Sequence, residues 1–319
     1  MDKDRAVDGP DRPALVGLDW GTTSLRAYLV AADGRILETR AAEAGILQVE
    51  DRAYGTALAA VAGAWLAERP GLPVIASGMI TSRNGWLETP YLPLPAGPAE
   101  LAAALVPFVT EAGIRIRFVT GLLATDGSTP DVMRGEETEL VGQLAQGAAD
   151  GTFVLPGTHV KWAAVEGGRI VRFRTFMTGE VYGALRDHTI LGRLMEPSGG
   201  PSDPAFRRGV EEQLSGDSAP GDLLHDLFAV RTLPLTGRMA ATDVADYLSG
   251  MLVGAEVAAA VRHLPPDEAV TIVGRGDLAE RYALALRLAG RNPVVAPPGA
   301  AAHGHHAMAM AAGLLEEIR

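Results

Sequence analysis

The 319-residue chain contains no cysteine. That excludes a disulfide framework and any thiol chemistry. Lysine is nearly absent as well: Lys3 and Lys161 are the only two, and arginine carries the remaining fixed positive charge. Lys3 belongs to a polar, acidic N-terminal stretch, MDKDRAVDGPDRP, so Lys161 stands out as the one lysine inside the fold. That stretch has no apolar segment and is not a secretory signal. It reads as a short disordered lead over residues 1–13. No apolar run reaches membrane-span length without glycine, proline or charge, so no membrane partner is expected. Lack of a signal and of disulfides favours the cytoplasm. Positive charge is in deficit overall, with a net charge of −11. This argues against a nucleic-acid partner, and an anionic ligand must be met by locally gathered donors. No Walker A pattern is present, so the P-loop class is not supported.

What is present is a long-period repeat. Hydrophobic residues make up 47% of the chain, enough for two cores. Leu15 to Val30, LVGLDWGTTSLRAYLV, reads as two strands around a tight glycine turn. An Asp-Gly turn at Asp33-Gly34 leads to a third strand. Helices are predicted over 52–68, 98–112 and 136–146, with strands over 72–77 and 115–120. From Thr152 the order starts again, with strands at 152–156 and 160–165. A third strand follows Glu166-Gly167-Gly168-Arg169-Ile170. Helices are then predicted over 241–263, 277–289 and 303–317, with strands at 270–273 and 293–296. Residues match too. WGTTSLRA (Trp20 to Ala27) aligns with PGTHVKWA (Pro156 to Ala163), and ADGRI (Ala32 to Ile36) with EGGRI (Glu166 to Ile170). Such a duplication decides the architecture. It predicts two α/β domains, 14–150 and 151–319, with a ligand cleft at their interface.

Five stretches carry candidate chemistry. Asp19-Trp20-Gly21-Thr22-Thr23 offers backbone N–H groups and two hydroxyls to phosphate, and Asp19 suits Mg²⁺. Pro156-Gly157-Thr158-His159-Val160-Lys161 offers a second such turn, with Lys161 as a point charge. Gly274-Arg275-Gly276 follows a strand and opens a helix. It matches a dinucleotide fingerprint through Ala279, but too little chain follows and no acidic residue lies about 20 positions on. A turn facing a nucleobase or ribose fits better. Ser82, Arg83, Trp86 and Tyr91 lie in a donor-rich stretch where Arg83 suits a carboxylate and Trp86 a sugar face. Arg134-Gly135-Glu136-Glu137-Thr138-Glu139 opens a helix, where acidic residues also serve the macrodipole. HGHH at 303–306 has poor metal spacing and reads as the start of the last helix.

Together these motifs resemble the sugar-kinase/Hsp70/actin superfamily. Within it the chain is most similar to the 2-dehydro-3-deoxygalactonokinase family. The residues that carry this are LDWGTTSLRAYL, SGMITSRNGW with PYLPLPAG, VMRGEETELVG, LPGTHVKW, RTFMTGE and LSGMLVGAEVA. The resemblance implies an α/β fold of duplicated ribonuclease H-like (actin-like ATPase) domains with an interdomain cleft. It also implies ATP-dependent phosphorylation of 2-dehydro-3-deoxy-D-galactonate at its 6-hydroxyl, in galactonate catabolism. ATP and Mg²⁺ would be the cofactors. Phosphates would lie between Gly21, Thr22, Thr23 and Gly157, Thr158, His159, Lys161, with adenosine near Gly274, Arg275 and Gly276. The sugar acid would meet Ser82, Arg83, Trp86, Tyr91 and Arg134. Glu136, with Glu137 as alternative, would be the general base, and Asp19 the Mg²⁺ anchor through water. Another sugar kinase, or an actin/Hsp70-like nucleotide switch, are the rival expectations; a homo-oligomer stays open.

Overall fold

The computed structural model describes residues 12–125, 127, 129–197, 200–215, 222–274 and 276–315. Residues 1–11 of the expected lead, and Arg275 of the third glycine motif, lie outside the described residues. The chain forms two compact units. Unit 1 comprises residues 1–150, 164–173 and 297–319, and unit 2 comprises 151–163 and 174–296. The units are therefore not the two contiguous stretches expected: the last helix belongs with the first.

Unit 1 opens with β1 (Pro13–Trp20), β2 (Leu25–Ala31) and β3 (Ile36–Ala42), an antiparallel run. β1 is apolar along nearly its whole length because both its faces are covered. Then come α1 (Tyr54–Glu68), β4 (Val74–Ser77), β5 (Tyr91–Pro93), α2 (Pro98–Ala103), β6 (Val106–Val109) and β7 (Arg115–Phe118). They are followed by β8 (Gly121–Ala124), β9 (Asp131–Met133) and α3 (Glu136–Ala145). The main sheet has the order β3-β2-β1-β4-β7-β6, with β4 parallel to β1 and β7 parallel to β4. α1 buries Leu58, Ala62 and Trp65 in the same core as Leu18, Val74 and Phe118. The helix expected over 98–112 stops at Ala103. Val106-Pro107-Phe108-Val109 instead pairs antiparallel with β7. Pro107 cannot continue a helix, and it is tolerated on a sheet edge. A small sheet, β5-β8-β9, was not anticipated.

Unit 2 contains β10 (Gly151–Leu155), β11 (Val160–Glu166), β12 (Arg169–Phe176), α4 (Thr178–His188), α5 (Asp203–Leu214), α6 (Leu223–Asp226) and α7 (Ala229–Leu235). It continues with α8 (Val244–Val261), β13 (Val270–Ile272), α9 (Gly276–Leu288) and β14 (Val294–Val295). Its sheet order is β12-β11-β10-β13-β14. This repeats the β3-β2-β1-β4-β7 order of unit 1, the duplicated ribonuclease H-like arrangement. The tip of the β11–β12 hairpin, 164–173, is grouped with unit 1, where Ala96 and Ile170 form an antiparallel bridge. α8 with its preceding turn is long and apolar enough to cross a membrane by composition. It is a core helix here: 67% of its most apolar window is buried, and it carries Asp246 and Glu256.

The chain ends its described course in α10 (Ala300–Ala311), back in unit 1. α10 lies against α3 through glycine. A Cβ on Gly304 would strike the Thr138 backbone, and one on Gly142 the Ala300 carbonyl. His305, expected near a helix start, is fully buried in mid-helix and its Nε2 lies 2.9 Å from Ser77 Oγ. Burial pushes the imidazole down to about 3, so it packs as a neutral ring.

Candidate active site

In unit 1 the parallel pairing of β1 with β4 sets Asp19 beside Ser77, at the carboxyl ends of both strands. Ligands of open α/β sheets sit outside such ends. Three backbone segments converge there. Gly78 (φ +92°) lies so close to Trp20 that a Cβ would be 2.7 Å from its carbonyl oxygen. Gly135 (φ +117°) would place a Cβ 3.2 Å from Gly78 Cα. Only glycine combines that φ with that approach. The contacts bring the end of β1, the end of β4 and the start of α3 together, and with them Asp19 and Glu136.

Asp19 pairs with Arg26 across β1–β2 at 3.4 Å, and its side chain is 24% exposed. Burial raises its pKa, Arg26 opposes this, and the Glu136 charge adds to the rise. Glu136 is half-buried and accepts from the Arg134 amide at 3.0 Å. Glu137 is 1% exposed; it accepts from the Gly135 amide at 2.7 Å and from the Thr138 hydroxyl at 3.2 Å. Burial and the Glu136 charge push it up to about 7. Of the adjacent pair, Glu137 is thus turned into the fold. Glu139, three residues on from Glu136, is pushed up to about 8 by burial and then by the charges of Asp19 and Glu136. The sequence reading gave it no role. The i, i+3 spacing, which sets two side chains on one helix face, is the signal that could have found it. Among the described residues no three His, Asp or Glu side chains gather to hold a metal ion. Asp19, part-exposed at the carboxyl end of β1, is a carboxylate there that could take a water-held cation.

The Gly21–Thr23 turn closes through the Gly21 amide on the Ser24 carbonyl at 2.9 Å. Its carbonyls are occupied: Gly21 O by the Ile46 amide and Thr22 O by the Leu47 amide. Thr22 and Thr23 are exposed, and among the described residues their amides and hydroxyls have no protein acceptor. The tip therefore leaves two amides and two hydroxyls open to a ligand.

Two predicted substrate residues sit elsewhere than expected. Arg134 Nη1 donates to Thr81 O at 2.6 Å and to Thr81 Oγ1 and Thr89 Oγ1 at 2.7 Å. Its Nη2 donates to Thr89 O at 3.1 Å, and its guanidinium lies 4.3 Å from the Tyr91 ring centroid. The fork is spent on the 81–91 segment rather than open to a ligand. Trp86 packs with Trp20, Tyr54, Phe108 and Phe118 at centroid distances of 5.3–6.3 Å, so its faces are taken by the core. Ser82 donates back to Met79 O at 2.7 Å. Arg83 is exposed and makes no hydrogen bond, ion pair or ring contact among the described residues, and Tyr91 is 40% exposed.

In unit 2 the Gly157–His159 turn is backed by the start of α4. The Glu180 amide donates to Thr158 O at 3.0 Å, and a Cβ on Gly179 would collide with Gly157 O. The exposed His159 pairs with the Glu180 carboxylate. Lys161 lies in β11 rather than in the turn; it is 5% exposed, and its Nζ donates to Thr175 Oγ1 at 2.6 Å. A cavity of about 770 Å³ borders the turn, lined among others by Gly157, Thr178, Gly179, Asp246, Arg281 and Tyr282. Arg281 pairs with Asp246 at its wall. Gly274 packs near Pro156, and Gly276 opens α9, whose Asp277 and Leu278 also line the cavity.

The family model described as 2-keto-3-deoxy-galactonokinase matches residues 19–309. The chain is 36% identical over 275 residues to the 2-dehydro-3-deoxygalactonokinase of Escherichia coli K12, covering 86% of this chain and 90% of that one. A crystal structure of a Sinorhizobium meliloti protein, provisionally named for the same activity, superposes with a TM-score of 0.79 at 33% identity. It covers 93% of this chain and 95% of its own. On a family match that spans both units and every motif described above, the chain belongs to the 2-keto-3-deoxy-galactonokinase family.

Proposed function

We propose that this chain is an ATP-dependent, cytoplasmic kinase that phosphorylates 2-dehydro-3-deoxy-D-galactonate at its 6-hydroxyl. The observation that carries this reading is the pair of glycine turns, one in each unit, with carboxylates behind the first and a nucleotide-sized cavity beside the second. Phosphoryl transfer asks little covalent chemistry of a protein beyond positioning and charge neutralisation.

Glu136 is the general base. It is half-buried at the start of α3, whereas Glu137 is enclosed and already accepts two hydrogen bonds. A carboxylate placed there can take the proton of the acceptor hydroxyl as it attacks phosphorus. Asp19 is the residue to hold Mg²⁺ through water, and that ion would neutralise phosphate charge. Arg83 holds the carboxylate of the sugar acid, with Tyr91 and Ser82 beside it. Trp86 and Arg134 shape this region from behind rather than by touching the ligand. Thr22 and Thr23 donate to phosphate from unit 1. Gly157, Thr158 and His159 do so from unit 2, with Lys161 as the charge beneath them. Adenosine occupies the cavity near Gly274 and Gly276. In-line transfer requires γ-phosphorus and hydroxyl to meet with water excluded, which also limits wasteful hydrolysis of ATP.

A coupled assay with ATP and a panel of sugar acids tests the reading. Turnover greatest on 2-dehydro-3-deoxy-D-galactonate supports it. Turnover greatest on another acid, or ATP hydrolysis without an acceptor, sinks it.

A further inference from the structure

Glu256 is a buried carboxylate of unit 2 that the mechanism above does not use. It sits in mid-α8, 3% exposed, and among the described residues no cation pairs with it. Burial raises its pKa, and three donors work against that rise. Trp162 Nε1 donates to Oε1 at 2.7 Å. The Tyr282 hydroxyl donates to Oε2 at 2.8 Å, and the Thr178 hydroxyl donates to the same oxygen. A buried charge without a partner ion persists only when donors satisfy it in this way.

Each donor comes from a different element, and two of the three line the cavity. Trp162 follows Lys161 in β11, Tyr282 lines the cavity from α9, and Thr178 begins α4. Thr178 also lines the cavity, and the residues after it, Gly179 and Glu180, hold the backbone of the Gly157–His159 turn. We propose that Glu256 is a positioning residue for the nucleotide: by accepting the Thr178 hydroxyl it pins the start of α4, and through α4 the Gly157–His159 turn, in its ligand-binding form. This rests on the assignment of the nucleotide to unit 2. It follows that the Thr178 oxygen shows only lone pairs to the cavity. It can accept from a ligand hydroxyl or a bound water and cannot donate to a phosphate oxygen.

The test is calorimetric binding of the β,γ-imido analogue of ATP with Mg²⁺ to the full-length protein, alongside the KM of the sugar acid and the melting temperature. Thr178→Val keeps the side-chain volume and leaves Trp162 and Tyr282 on Glu256. Glu256→Gln offers one acceptor oxygen to three donors. Each variant should weaken analogue binding about tenfold, the scale of one charge-assisted hydrogen bond. The double variant should be no weaker than the weaker single, because both break one connection. Thr178→Ser should bind as wild type does. The KM of the sugar acid should stay within about twofold in all four, which confines the loss to nucleotide binding, whereas an unfolded fraction would lower the calorimetric stoichiometry and leave both constants unchanged. If Glu256→Gln does not fold, Thr178→Val and Thr178→Ser still decide the matter. Wild-type affinity in Thr178→Val, full additivity in the double variant, or an equal shift in the KM of the sugar acid overturns the inference while leaving the nucleotide assignment intact. Failure of the wild-type protein to bind the analogue overturns both.

Discussion

The turn at Gly21–Thr23 and the turn at Gly157–His159 are built alike up to the side chains behind them. In both, carbonyls of the turn are engaged from later in the chain, Gly21 O and Thr22 O by the Ile46 and Leu47 amides in the first and Thr158 O by the Glu180 amide in the second. Behind the first stand Asp19, Glu136 and Glu139; burial raises the pKa of Asp19 and of Glu139, and the Glu136 charge adds to both rises. Behind the second stand a buried lysine, a buried glutamate held by neutral donors, and an open cavity. A duplicated backbone has thus kept its glycine turn while the side chains behind it diverged, to clustered carboxylates in one unit and to a lysine, a hydrogen-bonded glutamate and a cavity in the other. If that division is correct, substitutions in unit 1 move turnover or sugar-acid affinity, and substitutions in unit 2 move nucleotide affinity.

The largest effect is expected at Glu136. Glu136→Gln should lower kcat by about 10²–10⁴ with both KM values near normal. Glu137→Gln should change stability more than turnover. The reverse pattern would move the base by one residue, and full activity in both would leave α3 without one. At Lys161, Lys161→Ala should weaken ATP binding roughly 10- to 100-fold, the range for a charge-assisted contact. Because Lys161 is buried against Thr175, Thr175→Val serves as the control. An equal loss in that control would mean that Lys161 acts through strand packing alone. Arg83→Ala should raise the KM of the sugar acid roughly tenfold or more without moving nucleotide affinity. An equal loss on an analogue without the carboxylate would show that Arg83 is not the clamp.

The smallest effect concerns acidity. The Glu139 carboxyl rises from 4.5 to about 8 on folding, mainly through burial. A carboxyl whose folded pKa lies above its unfolded value disfavours the native state once it must ionise. That penalty is absent below about pH 4.5 and grows as pH rises toward 8. Glu139→Gln should therefore raise the melting temperature at pH 8 by more than at pH 5. A gain independent of pH would remove the burial argument.

The turns were legible in the sequence because glycine and threonine at strand ends act locally. So was the repeat, since the pattern WGTTSLRA/PGTHVKWA needs no knowledge of contacts. What escaped was decided at a distance. Trp86 looks exposed in a polar stretch, but Trp20, Tyr54 and Phe108 meet it from three other segments. Arg134 looks free beside a glycine, but Thr81 and Thr89, about 50 residues earlier, take its fork. Val106–Val109 falls inside the helix expected from Pro98 onward, whereas the open edge of β7 makes it a strand. Glu256 reads as an ordinary helix position, because its three donors lie 26 to 94 residues away.

The return of α10 to unit 1 has a consequence for the order in which the protein is made. Synthesis runs from the N-terminus, and domains generally fold as units as they emerge. Unit 2 is complete in sequence at Ala296, before any of α10 has been translated. Unit 1 begins first but cannot cover the α3 face at Thr138 and Gly142, or seat His305 against Ser77, until the final residues appear. The nascent chain therefore carries an unfinished first unit through the synthesis of the second. The unit that is translated first is thus the last to receive its closing helix.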